Sequence, residues 1–494
     1  MTDAVRGYLT SVRIALAIAS VVWATVAGAA EPWGIYLHDN QHTARAAIVV
    51  DPSILDTTPA WSAPTGYSVP LVVADRVYAM RSQFGVGGDE TQVAAFDLVT
   101  GEVLWEVSQR LIFPSALAYH DGRLVYVAID QTEFEPLLFV RDAETGELAY
   151  SFVVPNPLIA MPTIHVDSNT GEVVAYLAGP HFTNFGTFPN MTAVTLGETS
   201  ASIKWVDPMY RDFGDTSFPT VVGDSIVVVG PCQYYAYDLE TGEINPFHNG
   251  GCSGGGGYTV AYAANRKPGQ IYVVTALDGS ALGDVLSAWE YRGQDDITFA
   301  WKSDEVLNGI GVAIDGVIGA LYVGAYDRLL KINSSGGYTM DFAAGSFANG
   351  MVPIISGSHV WTFGSSGAGD TVAYDIATLE EVARFPGTRG DLNSPFGAPG
   401  AFGFNAFLLD HGRVYDYPGF DVFLGPQCGD PVSPHGRIGA TDALLVLNAA
   451  VGTTACETCI CDVDSSASVV ATDALLVLER GVGLPIEIAC PVCS

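Results

Sequence analysis

Ala95-Phe96-Asp97-Leu98-Val99-Thr100-Gly101-Glu102-Val103-Leu104-Trp105 reads as one complete β-hairpin. The first arm is apolar, and Asp97 can accept bonds from its own turn. Thr100-Gly101 supplies a tight reversal, and the second arm ends on an aromatic ring. Val140-Arg141-Asp142-Ala143-Glu144-Thr145-Gly146-Glu147-Leu148-Ala149-Tyr150 repeats the pattern, and shorter versions run through Ala236-Tyr237-Asp238-Leu239-Glu240-Thr241-Gly242-Glu243 and Ala373-Tyr374-Asp375-Ile376-Ala377-Thr378. Asp97 and Asp142 are 45 residues apart, Asp142 and Asp238 are 96 apart, and Asp238 and Asp375 are 137 apart, close to one, two and three periods. Asp51 lies a further 46 residues before Asp97.

An aromatic residue closes every period, at Trp61, Trp105, Tyr150, Trp205, Phe247, Trp301, Phe342 and Phe385. Strand pairs such as 70–78, 220–229 and 353–361 fill the intervals. Four strands in roughly 40 to 50 residues is the arithmetic of a β-propeller blade. The segment around Asp51 supplies only the later half of a period, and residues 404–423 supply an early half. Joining them would complete one sheet and remove two exposed edges. The expectation is an all-β propeller over residues 31–425 with eight blades, the last shared between the two ends, and seven blades as the fallback.

The hairpin resembles the repeat of quinoprotein (pyrroloquinoline quinone, PQQ) propellers, whose docking motif runs Ala-x-Asp-x-x-x-Gly-x-x-x-Trp. Ala95, Asp97, Gly101 and Trp105 match it fully, and Asp142 and Gly146 match it in part. The resemblance covers about residues 46 to 425 and implies a structural role, locking neighbouring blades together. It does not carry the cofactor. Quinone-dependent alcohol dehydrogenases of that family set a disulfide of adjacent cysteines against PQQ, and no two cysteines are adjacent here. PQQ is therefore not expected.

Charge narrows the partners. With 54 acidic and 21 basic side chains, the net charge is −33, which repels phosphate backbones and anionic lipid surfaces. Nucleic acid is excluded on this ground, leaving metal ions, glycans or proteins. Residues 1–30 carry Arg6 and Arg13 ahead of an apolar run ending Ala27-Gly28-Ala29-Ala30, the layout of a secretory signal peptide cleaved after Ala29 or Ala30. No other stretch approaches the ~18 to 20 apolar residues that span a bilayer. A secreted, periplasmic or cell-surface protein is expected, and export permits disulfides. Cys232 and Cys252 read as one local bridge. The glycine-rich run 250–257 lacks the Gly-Lys-Ser/Thr ending of a phosphate loop. His165, His181, His248 and His411 have no metal-ligand spacing, and no nucleophile elbow or zinc-protease motif occurs.

After residue 425 the pattern changes. Ala440-Thr441-Asp442-Ala443-Leu444-Leu445-Val446-Leu447 recurs 31 residues later as Ala471-Thr472-Asp473-Ala474-Leu475-Leu476-Val477-Leu478, a duplication that predicts two short helices ending at glycine. Before the second helix, Asp462, Asp464, Ser466 and Asp473 fall at positions 1, 3, 5 and 12 of a loop, with Ser468 at 7 offering its backbone carbonyl. That is the spacing of an EF-hand-type calcium loop, with Asp in place of Glu at 12 and Ala467 where glycine eases the turn. The first copy runs from Asp430 to Asp442. It has one residue too many if Asp430 is position 1, and lacks its first ligand if the loop begins at Pro431.

Two calcium loops each followed by a short helix resemble a type I dockerin over about residues 428–488, within a predicted domain of 426–494. The resemblance implies a cohesin-like or other envelope or extracellular protein as partner, bound through loop positions 10 and 11. Those positions are Ala440 and Thr441, then Ala471 and Thr472; alanine at position 10 departs from the hydroxyl residue common in cellulosomal members. Six cysteines between Cys428 and Cys493 read as disulfides, with a four-thiolate zinc site from the two C-x-x-C pairs as the alternative. The resulting expectation is a secreted binding or scaffold propeller that takes a protein or a glycan on one face and is attached to its partner by the tail. The alternative is an extracellular enzyme, either a polysaccharide lyase or hydrolase or a PQQ-dependent dehydrogenase.

Overall fold

The structure is a computed structural model. It describes residues 45–46, 52, 55, 60–63, 67–73, 75–83, 90–112, 114–133, 135–155, 162–178, 191–207, 219–229, 233–249, 260–267, 270–276, 286–302, 311–315, 320–325, 328–333, 339–344, 353–362, 371–385, 413–416, 419–422 and 425–491. The signal segment, Asp51, Cys232, Cys252, the glycine-rich run, His181 and His411 lie outside them.

The fold is an all-β propeller, with its described strands in eight sheets. The first sheet shows how one is made. Tyr67–Val73, Arg76–Gln83, Glu90–Asp97 and Val103–Gln109 run antiparallel in chain order. In the second sheet Leu124, Val125, Tyr126, Val127 and Ala128 are all buried, because an inner strand has both faces covered by neighbouring sheets. The outermost strand Val103–Gln109 alternates in exposure, as a half-covered strand does. The cores run between sheets. Leu71, Tyr78, Met80, Val93 and Ala95 of the first pack with Leu124, Tyr126, Ala128 and Phe139 of the second, and Tyr176, Met191 and Trp205 of the third pack with Ile226, Val228 and Tyr237 of the fourth. The innermost strands Val260–Lys267, Gly311–Asp315 and Ile354–Ser356 lie side by side in sequence.

All eight period-closing aromatics stand on the terminal strand of their sheet. What they do is visible at three junctions. Trp61 donates its indole N–H to the Leu98 carbonyl (2.9 Å), Trp105 to Ala143 (3.0 Å) and Trp205 to Leu239 (3.1 Å). Each acceptor is the residue after the motif aspartate of the following hairpin. Each ring also covers that hairpin's glycine, so a Cβ on Gly101, Gly146 or Gly242 would lie 2.5 Å from the ring. These glycines have φ of 71°, 74° and 70°, so conformation and space both demand them.

The aspartates set the turns. Asp97 accepts from the amide and hydroxyl of Thr100 (2.7 and 2.8 Å), and Asp142 does the same with Thr145 (2.8 and 2.9 Å). Where the motif is weakest the junction survives with other chemistry. At Asp375 the next carbonyl, Ile376, accepts from Lys331 Nζ (2.8 Å) and the Tyr322 hydroxyl (3.2 Å), and Leu379 takes the left-handed turn position at φ 58°.

One feature of the ring agrees with the expected joining of its ends, and one was not expected. The eighth sheet has three described strands, ordered Trp61–Ser62, Gly419–Val422, Arg413–Asp416, with Trp61 opposite Val422 and Tyr415 opposite Phe420. The early segment thus reaches the late one through Trp61. Further upstream, Arg45–Ala46 runs parallel to Ile355–Ser356 on the inner edge of the seventh sheet, a pairing that hairpin periodicity does not encode. No helix among the described residues is long and apolar enough to cross a membrane.

The tail, from residue 425, holds three helices: α1 (Ala440–Ala450), α2 (Thr458–Cys461) and α3 (Ala471–Gly481). Equivalent residues of the duplication, Ala443 with Ala474 and Val446 with Val477, form its core with Val463 and Cys461. Disulfides join Cys428 to Cys490 and Cys456 to Cys461, and Cys459 is also disulfide-bonded, which removes the thiolates that the zinc alternative required.

The interlock makes a direct prediction. Trp105→Ala should lower the unfolding free energy by about 3 kcal/mol, and Gly146→Ala by about 1–2 kcal/mol from the left-handed backbone alone. Urea melts of both variants check this, and a neutral Gly146→Ala would contradict the close approach of ring and hairpin.

Candidate functional site

The loop 462–473 gathers carboxylates because its backbone turns them inward. Asp462 accepts from the Ser466 amide (2.9 Å) on Oδ1 and from the Ala467 amide (2.7 Å) on Oδ2. Two left-handed residues on either side of Ser466 make this turn, Ser465 at φ 56° and Ala467 at φ 68°. Ala467 thus adopts the conformation that makes glycine usual there. Asp473 caps the start of α3 through the Val470 amide (2.8 Å) and holds the Val463 amide (2.9 Å).

The outcome is convergence. One oxygen from each of Asp462, Asp464 and Asp473 lies within 4.8 Å of the others. Asp462 and Asp473 are fully buried, whereas Asp464 is exposed. The Ser466 hydroxyl reaches toward Asp462 (3.4 Å) and the Ser468 carbonyl (3.2 Å), which places both position 5 and position 7 at the loop interior. Bonds from Ser466 hold the Asp464 carboxyl below its ordinary range. Among the described residues no lysine or arginine forms an ion pair with these three acids. Three negative groups, two of them removed from water, form an all-oxygen donor set suited to a hard divalent cation.

The first loop differs. Asp430 and Asp442 are buried and lie against each other, but they are not part of that cluster. Burial, with the nearby Asp442 charge, pushes the Asp430 carboxyl up to about 6. His435 Nδ1 is 3.8 Å from Asp430 Oδ1. Sequence reading left the register of this loop open. The bonds settle it, because Gly436 N donates to Asp430 Oδ2 (2.5 Å) as Ala467 N donates to Asp462. Asp430 is therefore the counterpart of Asp462, and Pro431 is the extra residue. Treating Pro431 as an insertion would have placed His435 under Ser466, a signal present in the sequence but missed.

Ala440, Thr441, Ala471 and Thr472 open α1 and α3, all exposed. Beside them lies a feature that sequence reading passed over. Leu444, Leu447 and Val451 on the first repeat, and Leu475, Leu478 and Val482 on the second, are large apolar residues left 40% or more exposed at equivalent positions. Elsewhere His165 is half-buried on the innermost strand Thr163–Val166, where burial lowers its pKa, and it belongs to no acidic or metal cluster among the described residues.

A family model described as PQQ_2, outer membrane protein assembly factor BamB, matches residues 56–245. No curated protein matches. Solved structures similar to the chain include BamB from Moraxella catarrhalis, at 14% identity and a TM-score of 0.38 over 64% of this chain and 95% of that one. The quinohemoprotein alcohol dehydrogenase from Comamonas testosteroni is 13% identical, with a TM-score of 0.38 over 72% and 79%. Sqt1 from Chaetomium thermophilum is 11% identical, with a TM-score of 0.49 over 75% and 99%.

The raised Asp430 pKa has a definite sign. A carboxyl that is harder to ionise in the fold contributes stability at pH values below its unfolded pKa of about 4, and that contribution is lost as pH rises through about 6. In chelator, Asp430→Asn should therefore melt higher than the parent chain at pH 7, the gap closing toward pH 4; thermal melts at the two pH values read it.

Proposed function

We propose that this chain is an exported propeller of eight blades, closed by the Trp61–Val422 pairing, that binds a protein on its face and is attached to a second partner by a dockerin-like, calcium-dependent tail. The observation that carries the reading is the union, in one duplicated unit, of an inward-facing carboxylate cluster and two equivalent exposed apolar stripes. Asp462, Asp464 and Asp473 would hold calcium with the Ser466 hydroxyl and Ser468 carbonyl completing an oxygen shell. The ion would neutralise two buried charges and fix the loop that starts α3.

The stripes supply the contact. Leu444, Leu447 and Val451 continue from Ala440 and Thr441, and Leu475, Leu478 and Val482 continue from Ala471 and Thr472. Apolar residues repeated on an exposed helix face, next to small ones that allow close approach, suit a protein surface. A cohesin-like or other envelope protein is the partner class we infer. For the propeller face, the assembly-factor description of the matched family supports protein binding. The quinone reading gains no support, since no adjacent cysteine pair exists. A polysaccharide-acting enzyme is the competing class.

Calcium should raise the melting temperature of the full chain's tail transition, and Asp462→Ala with Asp473→Ala should abolish that shift. Asp464→Asn, altering only the exposed ligand, should weaken calcium roughly tenfold while leaving the calcium-free melt unchanged. Capture of a cohesin panel and of native envelope proteins by the full chain should require calcium and should fail for Leu444→Asp with Leu475→Asp. Release of oligosaccharides from a polysaccharide panel would instead favour the enzyme.

A further inference from the structure

The loop 462–473 is entered through a covalent ring. Cys456 is bonded to Cys461, five residues on, across the short helix α2. Cys461 is fully buried in the tail core, and the next residue is Asp462, the fully buried carboxylate at position 1 of the loop. The Asp462 amide is itself held by the Thr458 carbonyl (3.0 Å) inside that ring. The chain is therefore fixed on the threshold of the carboxylate cluster by a bond that no ion supplies.

A second bridge supports the same stretch from the end of the tail. Cys490 is bonded to Cys428, and its neighbour Ala489 donates its amide to the Val463 carbonyl (2.8 Å) and accepts from the Ser465 hydroxyl (2.7 Å). The Val463 amide in turn donates to Asp473 (2.9 Å), the carboxylate at position 12.

The two copies of the duplication solve their turns differently. In the first, Gly436 donates to Asp430 as Ala467 does to Asp462, and it takes the left-handed conformation (φ 94°) without a side chain to resist it. Gly429 stands before Asp430 there, so no ring leads into that loop. In the second copy Ser465 and Ala467 hold left-handed backbone that L-residues resist, while Asp462 and Asp473 are shut from water. The copy that lacks the glycine is the one that carries the ring.

We propose that the Cys456–Cys461 bridge is a positioning element for calcium in the loop 462–473, holding Asp462 in its binding conformation against the strained turn at Ala467, so that the affinity of the site depends on the disulfide. This deepens the calcium reading of that loop and rests on it. A dithiol then opposes calcium. Its two thiols exchange with the bridge, the bond between Cys456 Sγ and Cys461 Sγ breaks, each cysteine takes up one proton as a thiol, and the dithiol is oxidised to its own disulfide. The opened loop regains chain freedom that calcium must remove again, an effect on the order of tenfold or more in affinity.

The test titrates calcium chloride by calorimetry into the metal-stripped full chain, at a temperature where amide exchange shows α1 and α3 still protected. The step to follow is the one that Asp462→Ala with Asp473→Ala removes. Cys456→Ser keeps the buried Cys461 sulfur and loses only the bond, and it should weaken that step about tenfold or more. Ala467→Gly should then recover several-fold in the Cys456→Ser chain and much less in the bridged parent, where the turn is already formed before calcium binds. Dithiothreitol should weaken the parent at least as far as Cys456→Ser does, and reoxidation should restore it. Should Cys456→Ser lose the protection of α1 and α3, Cys456→Ala with Cys461→Ala, which leaves no thiol to mispair, carries the comparison. A Cys456→Ser chain that melts lower yet binds calcium as the parent does would make the bridge a structural staple only and overturn the proposal, as would equal gains from Ala467→Gly in both backgrounds. A parent without the calcium step would instead overturn the calcium reading itself, and this proposal with it.

Discussion

The propeller depends on an indole laid across the next hairpin. A sheet of this kind buries both faces only if its neighbour stays in register, and the hydrophobic contacts between sheets are individually indifferent to sliding. The bond from Trp61, Trp105 or Trp205 to the carbonyl after the motif aspartate is not indifferent. It fixes one sheet against the next at a single carbonyl, and the bare glycine lets the ring come close enough to make it. The aspartate in turn holds that carbonyl in place by bonding its own turn. Charge pairs such as Arg76 with Glu144, and Lys204 with Glu240, cross the same junctions, and their carboxylates stand in water that weakens them.

Much of this was legible because the constraint acts on residue type at fixed spacing. Asp97, Gly101 and Trp105 announce a turn, a left-handed position and a ring, and the period between copies gives the sheets. The seventh sheet's junction was not legible. Lys331 and Tyr322 donate to Ile376 from strands of their own, so no local motif reveals that they replace an indole. Nor could the parallel pairing of Arg45–Ala46 with Ile355–Ser356 be read, because two residues of backbone bonding leave no side-chain pattern.

The tail shows the same division. The second loop was readable position by position, since its ligands are side chains on alternating residues. The first was ambiguous because one inserted proline shifts the count, and only the amide bonds to Asp430 and Asp442 restore it. The exposed stripes escaped notice because leucines in a short helix look like core, and Leu445 and Leu476 are indeed turned inward while Leu444 and Leu475 are not. In a chain of net charge −33, an uncharged face of this kind is also the place where a partner meets least electrostatic resistance.

The bridge from Cys428 to Cys490 brings the entry and exit of the tail to a Cα separation of 5.5 Å. A unit whose two ends coincide makes no demand on the geometry of its host. It can be carried at a terminus or spliced into a surface loop of an unrelated protein, and evolution or an engineer could move it as a self-contained coupling without reshaping what it is joined to.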